Sequence, residues 1–121
     1  MTNSEIDRCL ESMVLLVDTR EQPTERMKRR LETTGLPYVR QKIDAGDYSC
    51  RCTMPCGKEL DFSSRVAIER KMNLDELCLC FGRERARYGM QLDFCKEETT
   101  GKLIREILYR ELKEYLQGGA R

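Results

Sequence analysis

Apolar and polar positions change period several times along the chain, and each change marks an element. "MVLLV" (13–17) is an unbroken aliphatic run. A run this short and this apolar predicts a strand buried on both faces. Upstream, Ile6, Cys9 and Leu10 recur at helical spacing and predict a short helix over "EIDRCLE" (5–11). Downstream, Met27 and Leu31 lie one helical turn apart, Pro23 suits a first helical position and Gly35 a stop. Together they predict an amphipathic surface helix over 23–34. "PYVRQKID" (37–44) alternates as a second strand, "AGD" (45–47) interrupts it, and "YSCRC" (48–52) resumes the extended chain. Pro55 and Gly57 place a hairpin tip within 54–64, ahead of a third strand, "RVAIERK" (65–71).

"LDELCLCF" (74–81) is apolar nearly all round and follows Asn73, which forms a capping-box pattern with Glu76. This predicts the buried first half of a helix that runs on into the basic "GRERARY" (82–88). A break at 96–101 precedes a second amphipathic helix over 102–117, with Leu103, Ile104, Ile107, Leu108, Leu112, Tyr115 and Leu116 on one broad face. The order β–α–β–β–α–α predicts a single α/β domain over 1–121, a small mixed sheet flanked by helices. A chain of 121 residues is long enough for one core of moderate size.

Composition narrows the chemistry. The net charge of +1 gives no whole-chain argument for nucleic acid, so any basic surface is local. Histidine is absent, which excludes Ser–His and Cys–His nucleophiles and histidine metal sites. The seven cysteines are an odd number, and "MTNSEIDRCLES" is not a basic segment followed by an apolar stretch. They read as reduced thiols of a cytoplasmic protein. No apolar run reaches the roughly 18 residues of a membrane span. Cys50, Cys52 and Cys56 are spaced C-x-C-x₃-C. Zinc sites use two close cysteine pairs or histidines. Small packing residues are therefore favoured over a zinc-stabilised interaction domain, whose fourth ligand would come from Cys78, Cys80 or Cys95. Carboxylates, lysine and arginine remain.

These gather at strand ends. Glu69, Arg70 and Lys71 follow the buried "VAI" without a break, and charges there are costly to bury unless paired. Strand alternation puts Glu69 and Lys71 on one face and Arg70 on the other. A carboxylate beside an ammonium suits phosphodiester hydrolysis. The carboxylate can hold a hard divalent cation, and the lysine can orient a water and offset phosphate charge. One carboxylate is too few, but Asp47, after the turn residue Gly46, and Asp18, at the end of the first strand, join Glu69 if the three strands are neighbours. Singly, each has a plain structural reading: a turn residue, a loop start, a strand-end ion pair worth roughly 0–1 kcal/mol.

"VDTRE" (17–21), "GDY" (46–48) and "ERKMNLD" (69–75) together resemble the XPF-type nuclease domain, whose signature is G-D, a spacer, then E-R-K-x-x-x-D. Gly46, Asp47, Glu69, Arg70, Lys71 and Asp75 match it, and Val17, Asp18, Arg20 and Glu21 match its upstream element. The likeness covers about residues 13–88. It implies a restriction-endonuclease-like core and a Mg²⁺- or Mn²⁺-dependent endonuclease that cuts one strand of flap, fork or branched DNA in repair or recombination. By the same resemblance Asp47 and Glu69 are metal ligands, Asp18 supports or completes the metal site, and Lys71 positions the attacking water. Arg20 and Arg70 hold phosphate or brace the site, with alternation favouring bracing for Arg70. Asp75 pairs with one of these basic groups. Arg83 and Arg87, four apart on the expected helix with Arg85 beside them, would contact phosphates near the cut; the plain alternative is a solvated helix face. The chain departs from the family after Tyr88. The family's next strand is not evident there, "MQLDF" (90–94) being the nearest candidate, and no helix–hairpin–helix domain follows. The C-terminal third therefore reads as shortened, leaving DNA recognition to a homodimer or a partner protein. The apolar face of 103–116 is expected to cover its own sheet, with a homodimer contact second. A catalytically silent DNA-binding or dimerisation module of the same fold is the alternative function; the intact Glu69 and Lys71 favour activity.

Overall fold

The computed structural model describes residues 1–71, 76–81, 84–91 and 97–118. Along the chain run α1 (Asn3–Glu11), β1 (Val14–Val17), α2 (Glu25–Thr33), β2 (Tyr38–Arg40), β3 (Tyr48–Thr53), β4 (Glu59–Asp61), β5 (Val66–Lys71), β6 (Glu76–Phe81), β7 (Glu84–Gln91) and α3 (Glu97–Leu116). It is a small mixed α/β protein. The seven strands form one sheet in the order β2-β1-β3-β5-β6-β7, with β4 paired to β3 off this path. β1 and β2 are parallel; the other pairings are antiparallel.

The two faces of the sheet are covered unequally. Strand alternation sends Leu15 and Val17, Tyr48 and Cys50, and Val66 and Ile68 to one face. There they pack under Ile6 and Leu10 of α1, Leu31 of α2, and Ile104, Leu108 and Leu112 of α3. On the other face Leu16 and Ala67 are covered by Ile43, with Val39 beside them. Leu15, Leu16 and Val17 are all fully buried, as the unbroken run at 13–17 requires.

Several expectations change. α2 begins at Glu25 behind an N-cap at Thr24, whose hydroxyl accepts from the Met27 N–H at 3.2 Å. Pro23 therefore lies before the cap, because threonine offers an oxygen that proline lacks. β2 is shorter than 37–44. After Arg40 the chain leaves the edge and lays Ile43 over the open face, where its N–H is taken by the Asp18 carboxylate at 2.8 Å.

Within the helix expected over 74–81, Glu76–Phe81 is a strand. β6 pairs with β5 along its whole length, from Val66↔Phe81 to Lys71↔Glu76. Alternating leucine and cysteine suits either element, and the unpaired edge of β5 decides for the strand. Asn73, its expected cap, lies outside the described residues. The basic segment is strand too: β7 pairs with β6 through Leu77↔Met90 and Leu79↔Tyr88, with an irregularity between Leu79 and Phe81. Glu84–Arg87 is therefore extended rather than helical, and Arg83, the other end of the expected i,i+4 pair, lies outside the described residues. α3 begins at Glu97 rather than 102 and carries Gly101 inside it. A Cβ at Gly101 would lie 1.9 Å from Thr33 Oγ1 and 2.3 Å from the Arg30 carbonyl oxygen. What reads as a break in the sequence is thus the close crossing of α3 on α2. Among the described residues no helix is long and apolar enough to cross a membrane.

Candidate active site

Register alone brings the motif together. β1 ends at Val17, which pairs with Tyr48 at the start of β3. Tyr48 pairs in turn with Ile68, near the end of β5. Residues 18, 47 and 69 therefore follow or precede these partners at one common end of three adjacent strands. The Asp18 N–H donates to the Asp47 carbonyl at 2.8 Å and the Asp47 N–H to the Ile68 carbonyl at 2.7 Å. Gly46 makes the approach feasible. Its φ is +89°, and a Cβ there would lie 2.9 Å from Ala67 Cβ and 3.1 Å from the Ile68 carbonyl oxygen. Asp47 Oδ2 then accepts the Arg70 N–H at 2.7 Å, which fixes the carboxylate against β5.

Asp18 is fully buried, and both its oxygens are engaged. Oδ1 accepts the Ile43 N–H at 2.8 Å; Oδ2 accepts the Arg20 N–H at 3.1 Å and the Arg20 Nε–H. Burial alone would push its carboxyl up, but the Ile43 N–H and the Arg20 donors outweigh it and hold it below the usual value. Arg20 in turn donates from Nη2 to the carbonyls of Ile43 and Gly46, at 3.3 and 3.2 Å. These two residues thus tie the end of β1 to the loop over the open face. Arg40 holds the same end from β2, its Nη2 donating to the carbonyls of Thr19 and Glu21 at 2.9 and 2.6 Å.

Beside them opens a cleft of about 380 Å³. Four arginines, Arg20, Arg26, Arg30 and Arg70, and two acids, Glu21 and Asp47, line it together with Met27 and Thr24. Asp47 is half-buried, and burial raises its carboxyl. The Arg70 N–H opposes that rise and the charge of Glu69 adds to it. Glu21 is raised as well, first by burial and then by the charge of Asp47, against the pull of Arg30 and Arg70. The Glu21 carboxyl thus feels the charge of Asp47 within a half-buried cleft that also holds arginine side chains.

Glu21, Arg30 and Tyr48 are the residues that sequence reasoning passes over. Glu21 is a matched position without an assigned role. Arg30 is an arginine in a basic helix, yet only 4% exposed. Its Nη1 lies 3.9 Å from Glu21 Oε2 and donates to the hydroxyl of the fully buried Tyr48. The available signal is the spacing of Arg30 from Met27 and Leu31, which puts it near the buried face of α2. Of the expected residues, the structure brings Asp18, Arg20, Asp47 and Arg70 together, with Glu69 next to Asp47 electrostatically. Asp75 and Arg83 lie outside the described residues, as do the side chains of Lys71, at the end of β5, and of Arg85 and Arg87, in β7. Cys50 and Cys52 are buried with raised thiols, Cys52 beside Cys9, whereas Cys56 is exposed at the hairpin tip. Among the described residues no group of three or more cysteine, aspartate or glutamate side chains is placed to hold a metal ion. No protein-family model, curated protein or solved structure matches the chain.

Proposed function

We propose that the chain is a divalent-metal-dependent DNA endonuclease of the XPF type, with a restriction-endonuclease-like core, that nicks flap, fork or branched DNA inside the cell. The observation that carries this reading is the convergence of residues 18, 47 and 69 at one end of β1, β3 and β5, beside a cleft that holds both carboxylates and arginines. Mg²⁺ is commonly held by one or two protein carboxylates, with water and substrate phosphate completing its shell. Asp47 and Glu21, which both line the cleft, fit that requirement, and Glu69 adds its charge near Asp47. A cation held there supplies Lewis acidity at the scissile phosphate and lowers the pKa of a bound water.

The chain's own residues prepare the rest. Arg70 fixes Asp47 through its N–H. Asp18, with its oxygens engaged, supports the site by anchoring Arg20. Arg20, Arg26 and Arg70, lining the cleft, meet the phosphodiester as fixed positive charges. Lys71 keeps the role the motif gives it, positioning the attacking water. Asp75 pairs with a basic group of the site. Arg83, Arg85 and Arg87 hold neighbouring phosphates from the region of β7. A homodimer or partner protein supplies recognition of the branch.

A labelled flap or fork duplex incubated with the protein tests the reading. Nicking that requires Mg²⁺ or Mn²⁺, stops with chelator and falls to background in Asp47→Ala and Glu69→Ala is expected. Tight DNA binding with no cleavage at any metal concentration would instead leave a silent DNA-binding module.

A further inference from the structure

Arg30 has no part in this chemistry, yet it is the most constrained cation of the cleft. It stands in the last turn of α2, almost fully buried, between the side chains that send Met27 and Leu31 into the core. A guanidinium there is tolerable only when paired and hydrogen-bonded. Its Nη1 meets both requirements, donating to the Tyr48 hydroxyl and facing Glu21 Oε2 at 3.9 Å. Tyr48 belongs to the strand that begins beside Asp47, and Glu21 belongs to the loop after β1. Arg30 therefore spans the floor of the cleft, from the strand that presents one carboxylate to the loop that presents the other. Arg40 holds the backbone of that loop; Arg30 holds its side chain.

We propose that Arg30, seated on Tyr48, is a positioning residue that aims the Glu21 carboxylate across the cleft toward Asp47, so that the two share one divalent cation. The inference rests on the metal-site reading of the cleft. Arginine suits the task because its planar guanidinium holds Nη1 in one place between the two oxygens; lysine keeps the charge but carries it on a flexible stem.

The test titrates Mn²⁺ alone into the full chain and reads bound metal by electron paramagnetic resonance, without DNA. Tyr48→Phe removes one hydroxyl and keeps the ring in the core. It and Arg30→Lys are expected to weaken Mn²⁺ binding by about tenfold, the lower end of what loss of a partner behind a metal ligand produces. Glu21→Gln weakens it at least as much. Because Arg30 acts through Glu21, adding Tyr48→Phe to Glu21→Gln weakens binding no further. Wild-type affinity in Tyr48→Phe overturns the proposal, and so does an effect of Tyr48→Phe that persists undiminished in the Glu21→Gln background. Flap cleavage assayed on the same proteins keeps the two readings apart. Mn²⁺ binding that obeys this pattern in a chain that cleaves no DNA supports the role of Arg30 and removes the nuclease. Cleavage by a chain whose Mn²⁺ affinity ignores Tyr48→Phe retains the nuclease and removes the role of Arg30.

Discussion

Asp18 and Asp47 are bridged by a main-chain hydrogen bond, yet the fold treats their carboxyls in opposite ways. Asp18 is held below its ordinary 3.8 by the donors around it, so its contribution to stability is present above 3.8 and is lost as pH falls below that value. Asp47 is raised above 3.8 by burial and by Glu69, so the folded state binds its proton more tightly than the unfolded chain does. Its contribution is most favourable below 3.8 and declines as pH rises toward its raised pKa. Asp47→Asn keeps an oxygen to accept the Arg70 N–H and removes the charge. In chelator, it is expected to be more stable than wild type at neutral pH, with the advantage disappearing as pH falls to 3.8. Urea melts across that range read the difference, and an advantage independent of pH would contradict burial of the charge as its cause. At this scale much was legible in the sequence. Asp18, Asp47 and Glu69 announce themselves by their place at strand ends, and Gly46 by the turn it must make. Glu21, Arg30 and Tyr48 do not, because their meeting depends on how α2 lies against β3, which no local pattern encodes.

Elements were legible where one period excluded the other. α1, α2, the body of α3 and the strands β1, β3 and β5 follow from spacing and turn residues, whereas β4 lies within what reads as a hairpin tip. β6 does not, because "LCLCF" satisfies a buried helix and a strand alike, and the register offered by β5 makes the choice. The start of α3 was obscured by Gly101, whose reason lies in a different helix. Alanine favours a helix over glycine by about 1 kcal/mol, so Gly101→Ala would stabilise an isolated α3. In the protein its Cβ meets Thr33 Oγ1 and the immovable Arg30 carbonyl. We expect a net loss of about 1–3 kcal/mol, the usual range for overpacking. The readout is a lower denaturant midpoint at an unchanged slope.

For the whole molecule, the small mixed α/β class was legible from element order, whereas the strand order was not. Neighbours such as β1 and β3 are joined only after a helix and the edge strand β2 have intervened. The apolar face of α3 covers its own sheet: Ile104, Ile107, Leu108, Leu112 and Leu116 are all buried in the core shared with β1, β3 and β5. Such side chains contribute about 1.5–3 kcal/mol each, together on the order of the 5–15 kcal/mol that stabilises a typical domain. A chain truncated before Glu97 is therefore expected to show no cooperative thermal transition by circular dichroism; a sharp melt would mean that the sheet is covered in some other way.

The docked turn at Gly46 and Asp47 also sets an order in time. A chain leaving the ribosome exposes its N-terminal segments first, so α1, β1 and α2 can begin to form while the rest is still unmade. Asp47 then has nothing to hold: its N–H waits for the carbonyl of Ile68, and its carboxylate for the N–H of Arg70. The turn of α2 that bears Arg30 waits longer still, for Gly101 to seat against it. A fragment released from synthesis before residue 101 would carry Asp18, Asp47 and Glu69, yet lack the packing that turns them into a site. The cleft is thus completed only after the segment that bears Gly101 has been made.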